Sequence, residues 1–380
     1  MELIYADSAA TSIHKPPQVA RAVADAICRL GNSGRGAGAP ALDSGRVIFD
    51  CRRKLSALFD GDGPEQVAFT SNVTEALNTA LKGLFRPGEH IITTAAEHNS
   101  VLRPLYELED AGCELTVLPC GENGVFDPAA LTAALRPNTR GVVCTHASNV
   151  TGNVTDIAAV GEFCRAHGLL FILDAAQTAG TFPISMKKQH IDVVCFTGHK
   201  GLLGPQGTGG LCVRRGLSIR PLKTGGSGIW SFRRSHPDAM PTALEAGTLN
   251  TPGIAGLSAG LDFIAAEGMD VLRQREQSLA LEFYRRVRAL PGVRVYGDFS
   301  TPDRAPIVSL NLGEVPSDQV ADELQERFGI AVRAGAHCAP LIHRHFGTEG
   351  QGMVRFSFSW ANTPAELDAI LAALTQLITE

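Results

Sequence analysis

The 380-residue chain has no CxxC pair, and its nine cysteines and eleven histidines show no spacing of the zinc type. Neither a metal site nor a disulfide framework is therefore expected. No stretch approaches the roughly 18 consecutive apolar residues of a membrane span. The segment from Met1 to Asp7 lacks a basic region followed by an apolar one, so a cytoplasmic location without membrane contact is expected. Runs of like charge are missing too. With 19% charged residues and a net charge of -5 there is no basic groove for nucleic acid, which leaves small-molecule chemistry as the default. Internal repeats, heptads and low-complexity tracts are also absent. Three Asn-x-Thr sequons, at Asn72, Asn149 and Asn153, carry no meaning without secretion.

What is present is alternation. Short apolar runs at 67–69, 91–93, 115–118, 141–144, 169–173, 193–196 and 210–213 read as buried strands. Helix-like stretches at 74–84, 101–111 and 157–167 lie between several of them, as in a mainly parallel sheet covered on both faces. Cys144, Cys195 and Cys212 fall inside such runs and read as small buried hydrophobes in a reducing compartment; Cys338 stands apart. A glycine-rich span at 224–253 is expected to form loops near the active site or a subunit contact. A long helix at 254–290 with a possible break at Gly268 follows, then strands at 293–296 and 307–312 and helices at 317–328 and 364–378. The expected division is an N-terminal segment 1–15 packing with the small domain, a large domain 16–253 and a smaller α+β domain 254–380.

In open parallel sheets ligands bind beyond the carboxyl ends of the strands, so the polar residues just after each apolar run are the ones to collect. After the first run come Val73 and Thr74, at a capped helix start whose free N–H groups suit a phosphate. After the second come Glu97 and His98, after the fourth His146 to Asn149, after the fifth Asp174 to Gln177, and after the sixth Thr197-Gly-His199-Lys200. A carboxylate ending five apolar residues calls for a buried cation, because unpaired it carries a desolvation cost of several kcal/mol. An amine able to form a Schiff base and a carboxylate able to hold a ring nitrogen protonated are the two anchors of pyridoxal 5'-phosphate. Lys200 and Asp174 supply that pair.

The ordered series of motifs resembles the class V aminotransferase-fold enzymes, specifically the cysteine desulfurases and selenocysteine lyases with a short catalytic-cysteine loop. It runs from Tyr5-Ala-Asp-Ser-Ala-Ala-Thr-Ser12 through Asn32-Ser-Gly-Arg-Gly36, Thr74-Glu75, Glu97-His98, Ser148-Asn149, Asp174-Ala-Ala-Gln177, the lysine segment and Glu245-Ala-Gly-Thr248 to Arg333-Ala-Gly-Ala-His-Cys338. The resemblance implies the type I fold of pyridoxal-phosphate-dependent transferases, α/β, with a seven-stranded mainly parallel sheet plus a smaller α+β C-terminal domain carrying the cysteine loop. It also implies a homodimer.

By the same resemblance Lys200 holds the cofactor and moves protons, Asp174 pairs with the ring nitrogen, Gln177 bonds the ring hydroxyl, and His98 stacks on the ring and assists proton transfer as a catalytic residue. Val73, Thr74, Thr197 and His199 hold the phosphate, with Thr248 reaching it from the second subunit. Asn149 and Arg355 fix the substrate carboxylate, for which a planar guanidinium is suited. Cys338 takes sulfur from L-cysteine as a persulfide, leaving L-alanine, and passes it to an acceptor protein. His337, Arg333 and Arg355 are expected to stand beside the thiol as cations. Three features depart from the common pattern: Ala336 and Asn99, where many relatives have histidine, and the loop 228–240.

Two rival readings stay open on the sequence. One keeps the cofactor and changes the reaction, to a selenocysteine lyase or a transaminase-like enzyme in which Cys338 is not the acceptor. The other is a non-catalytic sulfur-carrier or nucleotide-binding scaffold, suggested by the glycine-rich turns at 31–38 and 204–210; neither turn contains GxGxxG after a strand.

Overall fold

The computed structural model describes residues 3–33 and 38–379. Residues 34–37 of the glycine-rich turn at 31–38, and with them part of the Asn32–Gly36 motif, lie outside the described residues. The chain opens with a short strand, β1 (Ile4–Tyr5), and two helices, α1 (Pro17–Arg29) and α2 (Ala39–Leu58). Strands and helices then alternate: β2 (Val67–Thr70), α3 (Val73–Leu84), β3 (His90–Thr94), α4 (Asn99–Asp110), β4 (Glu114–Leu118), α5 (Leu131–Ala134), β5 (Thr139–Thr145), α6 (Ile157–His167), β6 (Leu170–Asp174), β7 (Val193–Thr197) and β8 (Gly209–Val213). Seven of these strands form one sheet in the order β2-β8-β7-β6-β5-β3-β4. All seven expected strands are in it. Neighbours from β7 through to β4 run parallel, and β8 is antiparallel to both β7 and β2.

The central strands are apolar without interruption because helices cover both faces. Side chains alternate along β6: Phe171 and Leu173 enter one core with α2, α6 and α7, while Leu170 and Ile172 enter the other with α3 and α4. Each fully buried side chain of this kind stabilises the fold by about 1.5–3 kcal/mol. The helices are capped as their sequences require. Asn72 accepts the Glu75 N–H at the start of α3, and Asp156 accepts those of Ala158 and Ala159 at the start of α6. Gly168 ends α6 at φ 64, in the left-handed conformation glycine takes without strain.

The expected long helix is divided at Gly268, φ 87, into α7 (Thr251–Glu267) and α8 (Met269–Val287). The apolar core changes there. Ile254, Leu257 and Leu261 of α7 pack in a core of the large sheet, whereas Leu279, Phe283 and Val287 of α8 pack against a second, three-stranded sheet. That sheet has the order β12-β10-β9, built antiparallel from β9 (Val293–Tyr296), β10 (Ile307–Leu312) and β12 (Val354–Ser357). The helices α9 (Ser317–Phe328) and α11 (Pro364–Thr379) cover it, while α10 (Pro340–Phe346) packs on the large core through Ile342. Sequence reading missed α1, α2, α10, β12 and the two-residue strands β1 and β11 (Ile330–Ala331). The last two pair parallel as a separate two-stranded sheet, and Ile4, Ala6 and Ile330 pack into the core of the three-stranded sheet. Among the described residues no helix is long and apolar enough to cross a membrane, and no cluster of three or more metal-ligating side chains occurs.

Candidate active site

A cavity of about 200 Å³ opens beyond the carboxyl ends of the parallel strands. Its lining brings together nine of the residues singled out from sequence: Val73, Thr74, His98, Asn149, Asp174, Gln177, Thr197, His199 and Lys200. Each arrives at the end of a strand or the start of the following helix. Gly198 is required between two of them, since a Cβ there would lie 2.0 Å from the Thr208 Oγ1.

Asp174 ends β6, is 2% exposed, and accepts the Ala176 N–H at 2.9 Å. Burial raises its carboxyl above the ordinary range. Across the cavity the half-buried Lys200 is depressed to about 8, first by burial and then by the Arg355 charge, so its amine is partly neutral near physiological pH. His98 caps α4, its Nδ1 accepting the Ser100 N–H at 3.0 Å; burial and the Lys200 charge bring it down to about 4. The ring is therefore neutral, with its proton on Nε2. His199, lowered to about 4 by burial, is held through Nδ1 by the Thr11 hydroxyl at 3.0 Å.

Behind this wall lie two further buried groups. Glu97 is fully buried, accepts from the Thr94 hydroxyl (2.5 Å) and the Thr145 N–H (3.0 Å), and is raised to about 8 by burial. His146 is 4% exposed, brought down to about 3 by burial, and packs edge-on against Phe182.

The cysteine loop comes from the second sheet's side of the molecule and is tied to the cavity by its backbone. The Asn99 N–H donates to the Cys338 carbonyl at 2.7 Å, and Asn149 Nδ2 donates to the His337 carbonyl at 2.8 Å. His337 and Cys338 have φ of 51 and 55, a left-handed pair that costs about 1–3 kcal/mol per residue and persists because those bonds hold it. The thiol is exposed. The expectation that His337 stands beside it as a cation is corrected. Its buried ring is engaged by His343 (3.3 Å) and the Arg333 carbonyl (3.3 Å), and burial with the Arg355 charge pushes it well below the ordinary imidazole range. Arg355 is tied to Asp7 (2.8 Å) and to the Asn149 carbonyl (2.9 Å).

Thr248 is not in this group. It is exposed on a separate recess of about 530 Å³ shared with Arg52, Glu245 and Gly226. Cys338 is not the sole exposed cysteine either, since Cys28 on α1 is also exposed; the other seven are buried and all nine are free. Two residues of the site escaped sequence reading. The Ser100 hydroxyl joins Thr74 Oγ1 (2.8 Å) to His98 Nδ1 (2.9 Å), and its place two residues after His98 in a helix's first turn was the available signal. Asp7 lies in the Tyr5–Ser12 motif, but its pairing with Arg355 gave no signal, because 348 residues separate the two.

A lysine and a carboxylate at and just beyond the ends of adjacent parallel strands, with the N-terminus of α3 lining the same cavity, define an enzyme of the pyridoxal-phosphate class on the type I fold. The chain belongs to the class-V aminotransferase family, whose pattern matches residues 4–370. It is 32% identical to a probable cysteine desulfurase of Methanothermobacter thermautotrophicus over 98% of this chain and 94% of the relative. A cysteine desulfurase of Escherichia coli is 31% identical over 99% and 94%. Among solved structures, the apo cysteine desulfurase of Thermococcus onnurineus superposes with a TM-score of 0.93 at 29% identity, covering 99% of this chain and 95% of that one. The Escherichia coli cysteine desulfurase CsdA in its S-sulfonic acid form gives 0.89 at 28% identity, with coverage of 99% and 95%.

Pyridoxal phosphate is the cofactor of this family, and the residues present fit it. Thr197 is 2% exposed and lines the cavity, and its buried hydroxyl lacks a protein partner. The N–H groups of Val73 and Thr74, the first two of α3, have no acceptor within the helix and stand at the same wall, where a phosphate would satisfy them. A buried carboxylate raised by desolvation is suited to receive a protonated ring nitrogen.

Proposed function

We propose that this enzyme is a cysteine desulfurase that converts L-cysteine to L-alanine, stores the sulfur as a persulfide on Cys338 and hands it to an acceptor protein. One observation carries the reading: an exposed thiol on a loop whose two carbonyls are hydrogen-bonded to Asn99 and to Asn149, the latter a lining residue of the Lys200 cavity. The relatives named above, alike over nearly the whole chain, support it.

Bound pyridoxal phosphate supplies an electron sink for the bonds at the substrate's Cα. Asp174 would hold the ring nitrogen, Gln177 the ring hydroxyl, and His98 would stack on the ring. Val73 and Thr74 through their N–H groups, together with Thr197 and His199, would hold the phosphate. Lys200, depressed to about 8, has the basicity to take the Cα proton and return it. Arg355 and Asn149 bind and orient the substrate carboxylate. The Cys338 thiolate attacks the substrate sulfur, the substrate C–S bond breaks, and its electron pair passes to the carbon skeleton, which is protonated to the methyl group of alanine. The balance is one L-cysteine and one thiol in, one L-alanine and one persulfide out; a second thiol then takes the outer sulfur.

The exposed position of Thr248 on a separate recess supports a homodimer in which it serves the other subunit's phosphate site. Nine free cysteines suit a reducing, cytoplasmic setting. The test is alanine formation from L-cysteine and from L-selenocysteine, with a thiol reductant, by the wild type and by Cys338→Ala. Cysteine turnover that vanishes in the variant is expected. Selenocysteine turnover alone, unaffected by the substitution, would turn the reading into a selenocysteine lyase, and no alanine from either substrate would overturn both.

A further inference from the structure

The N-terminal segment runs across the boundary between the two cores. On one side the Ala6 N–H donates to the Ala331 carbonyl (2.9 Å), and the Ser357 N–H donates to the Ala6 carbonyl (2.8 Å). On the other, Gln177 Nε2 donates to the Ala9 carbonyl (3.1 Å), and the Ser12 N–H donates to the His199 carbonyl (3.1 Å). Asp7 sits at the crossing. Its backbone bridges to Ser357 of β12, and the Tyr5 hydroxyl bonds the Asp7 carbonyl (3.2 Å) and that of Thr11 (2.8 Å), which fixes the turn.

The Asp7 carboxylate meets the Arg355 guanidinium at 2.8 Å, with the two side chains 13% and 3% exposed. A second anchor comes from the opposite core, where Nη1 of Arg355 donates to the Asn149 carbonyl at 2.9 Å. Nε is buried and has no partner. A guanidinium has five N–H groups in one rigid plane, so two anchors on its terminal nitrogens fix that plane and leave the remaining donors, Nε among them, unspent.

We propose that Asp7 is the positioning residue that aims Arg355 at the substrate carboxylate. This rests on the assignment of Arg355 to that carboxylate made above. A planar fork recognises a carboxylate through two parallel N–H bonds, and it does so with least loss when its orientation is set before the ligand arrives. Asp7 also supplies the counter-charge for a cation that burial otherwise disfavours, so the arginine can wait in place without substrate.

The test compares holoenzyme of the wild type, Asp7→Ala and Asp7→Asn. Binding of L-alanine and of L-alaninamide, which differ in the carboxylate, is read from the absorption of the bound cofactor, and KM and kcat are measured with L-cysteine. In Asp7→Ala the preference for alanine over its amide should fall by about tenfold or more and KM for L-cysteine should rise more than kcat falls, with alaninamide affinity within about twofold of wild type. Asparagine keeps an acceptor in place, so Asp7→Asn should fall between, with a loss of at least about threefold; it decides the matter if the alanine variant does not fold. An unchanged preference in both variants would overturn the proposal. So would tighter alanine binding, which would make Asp7 a competitor of substrate, or equal loss for both ligands, which would make it a general support. Because ligand binding is read without turnover, failure of the wild type to form alanine would sink the desulfurase reading separately. An Arg355→Gln enzyme that still prefers alanine would show that Arg355 is not the carboxylate's anchor and overturn the proposal.

Discussion

Replacing Asp174 with asparagine should act in opposite directions on the cofactor-free and cofactor-loaded protein. Asp174 is 2% exposed, and the one protein hydrogen bond of its carboxylate is from the Ala176 N–H, which the asparagine oxygen can also accept. Without cofactor, burial raises the folded carboxyl above its unfolded value. The native state then binds more protons than the unfolded state between those two values, so Asp174 makes stability fall as pH rises through that window. Asparagine cannot ionise. Cofactor-free Asp174→Asn should therefore be at least as stable as wild type at pH 7 in urea denaturation.

With pyridoxal phosphate bound the carboxylate gains a cationic partner, and removing one member of a buried ion pair costs about 3–5 kcal/mol. If that loss falls on the transition state, alanine formation should drop by between about a hundredfold and a few thousandfold, at roughly 1.36 kcal/mol per decade. The assays are alanine release from L-cysteine and the visible absorption of the cofactor, recorded from pH 6 to 9. Turnover within about threefold of wild type, or a cofactor-free protein clearly destabilised at pH 7, would refute the assignment of Asp174 to the ring nitrogen.

Other substitutions probe the frame around the site. Glu97, raised to about 8 by burial, should make wild-type stability decline as pH rises from about 4.5 through 8, whereas Glu97→Gln should lose that slope in denaturation measured across the range. Ser100→Ala removes the hydroxyl between Thr74 and His98 but keeps the backbone bond that caps α4; a stability loss of about 1 kcal/mol by denaturation and weaker cofactor retention on dialysis are expected. In Gly198→Ala the new methyl would lie 2.0 Å from Thr208 Oγ1, so a loss of about 1–3 kcal/mol and a shifted cofactor spectrum should follow.

Much of the large sheet could be read from the chain because its strands are buried on both faces, which leaves uninterrupted apolar runs such as 169–173 and 193–196. The residues that close those runs could be read for the same reason: a polar side chain at the end of a buried strand in a parallel sheet has one place to go. The helices α1 and α2 could not be recognised in this way. Only two residues of α1, Val19 and Ala26, are buried. The strands β1 and β11 hold two residues each and depend on each other for their existence.

The sequence by itself determined which groups stand at the rim of the large sheet, since strand period and strand ends fix their positions locally. It determined the glycine break between α7 and α8 as well, where a positive φ is needed. Tertiary structure alone decided the rest: that the His337 ring is spent on His343 and the Arg333 carbonyl, that the Cys338 backbone hangs from the amide of Asn99, and that Thr248 faces another recess. The pairing of Asp7 with Arg355 belongs in the same group. Desolvation and ion pairing depend on what surrounds a side chain in three dimensions, and partners 348 residues apart leave no periodic trace in the chain.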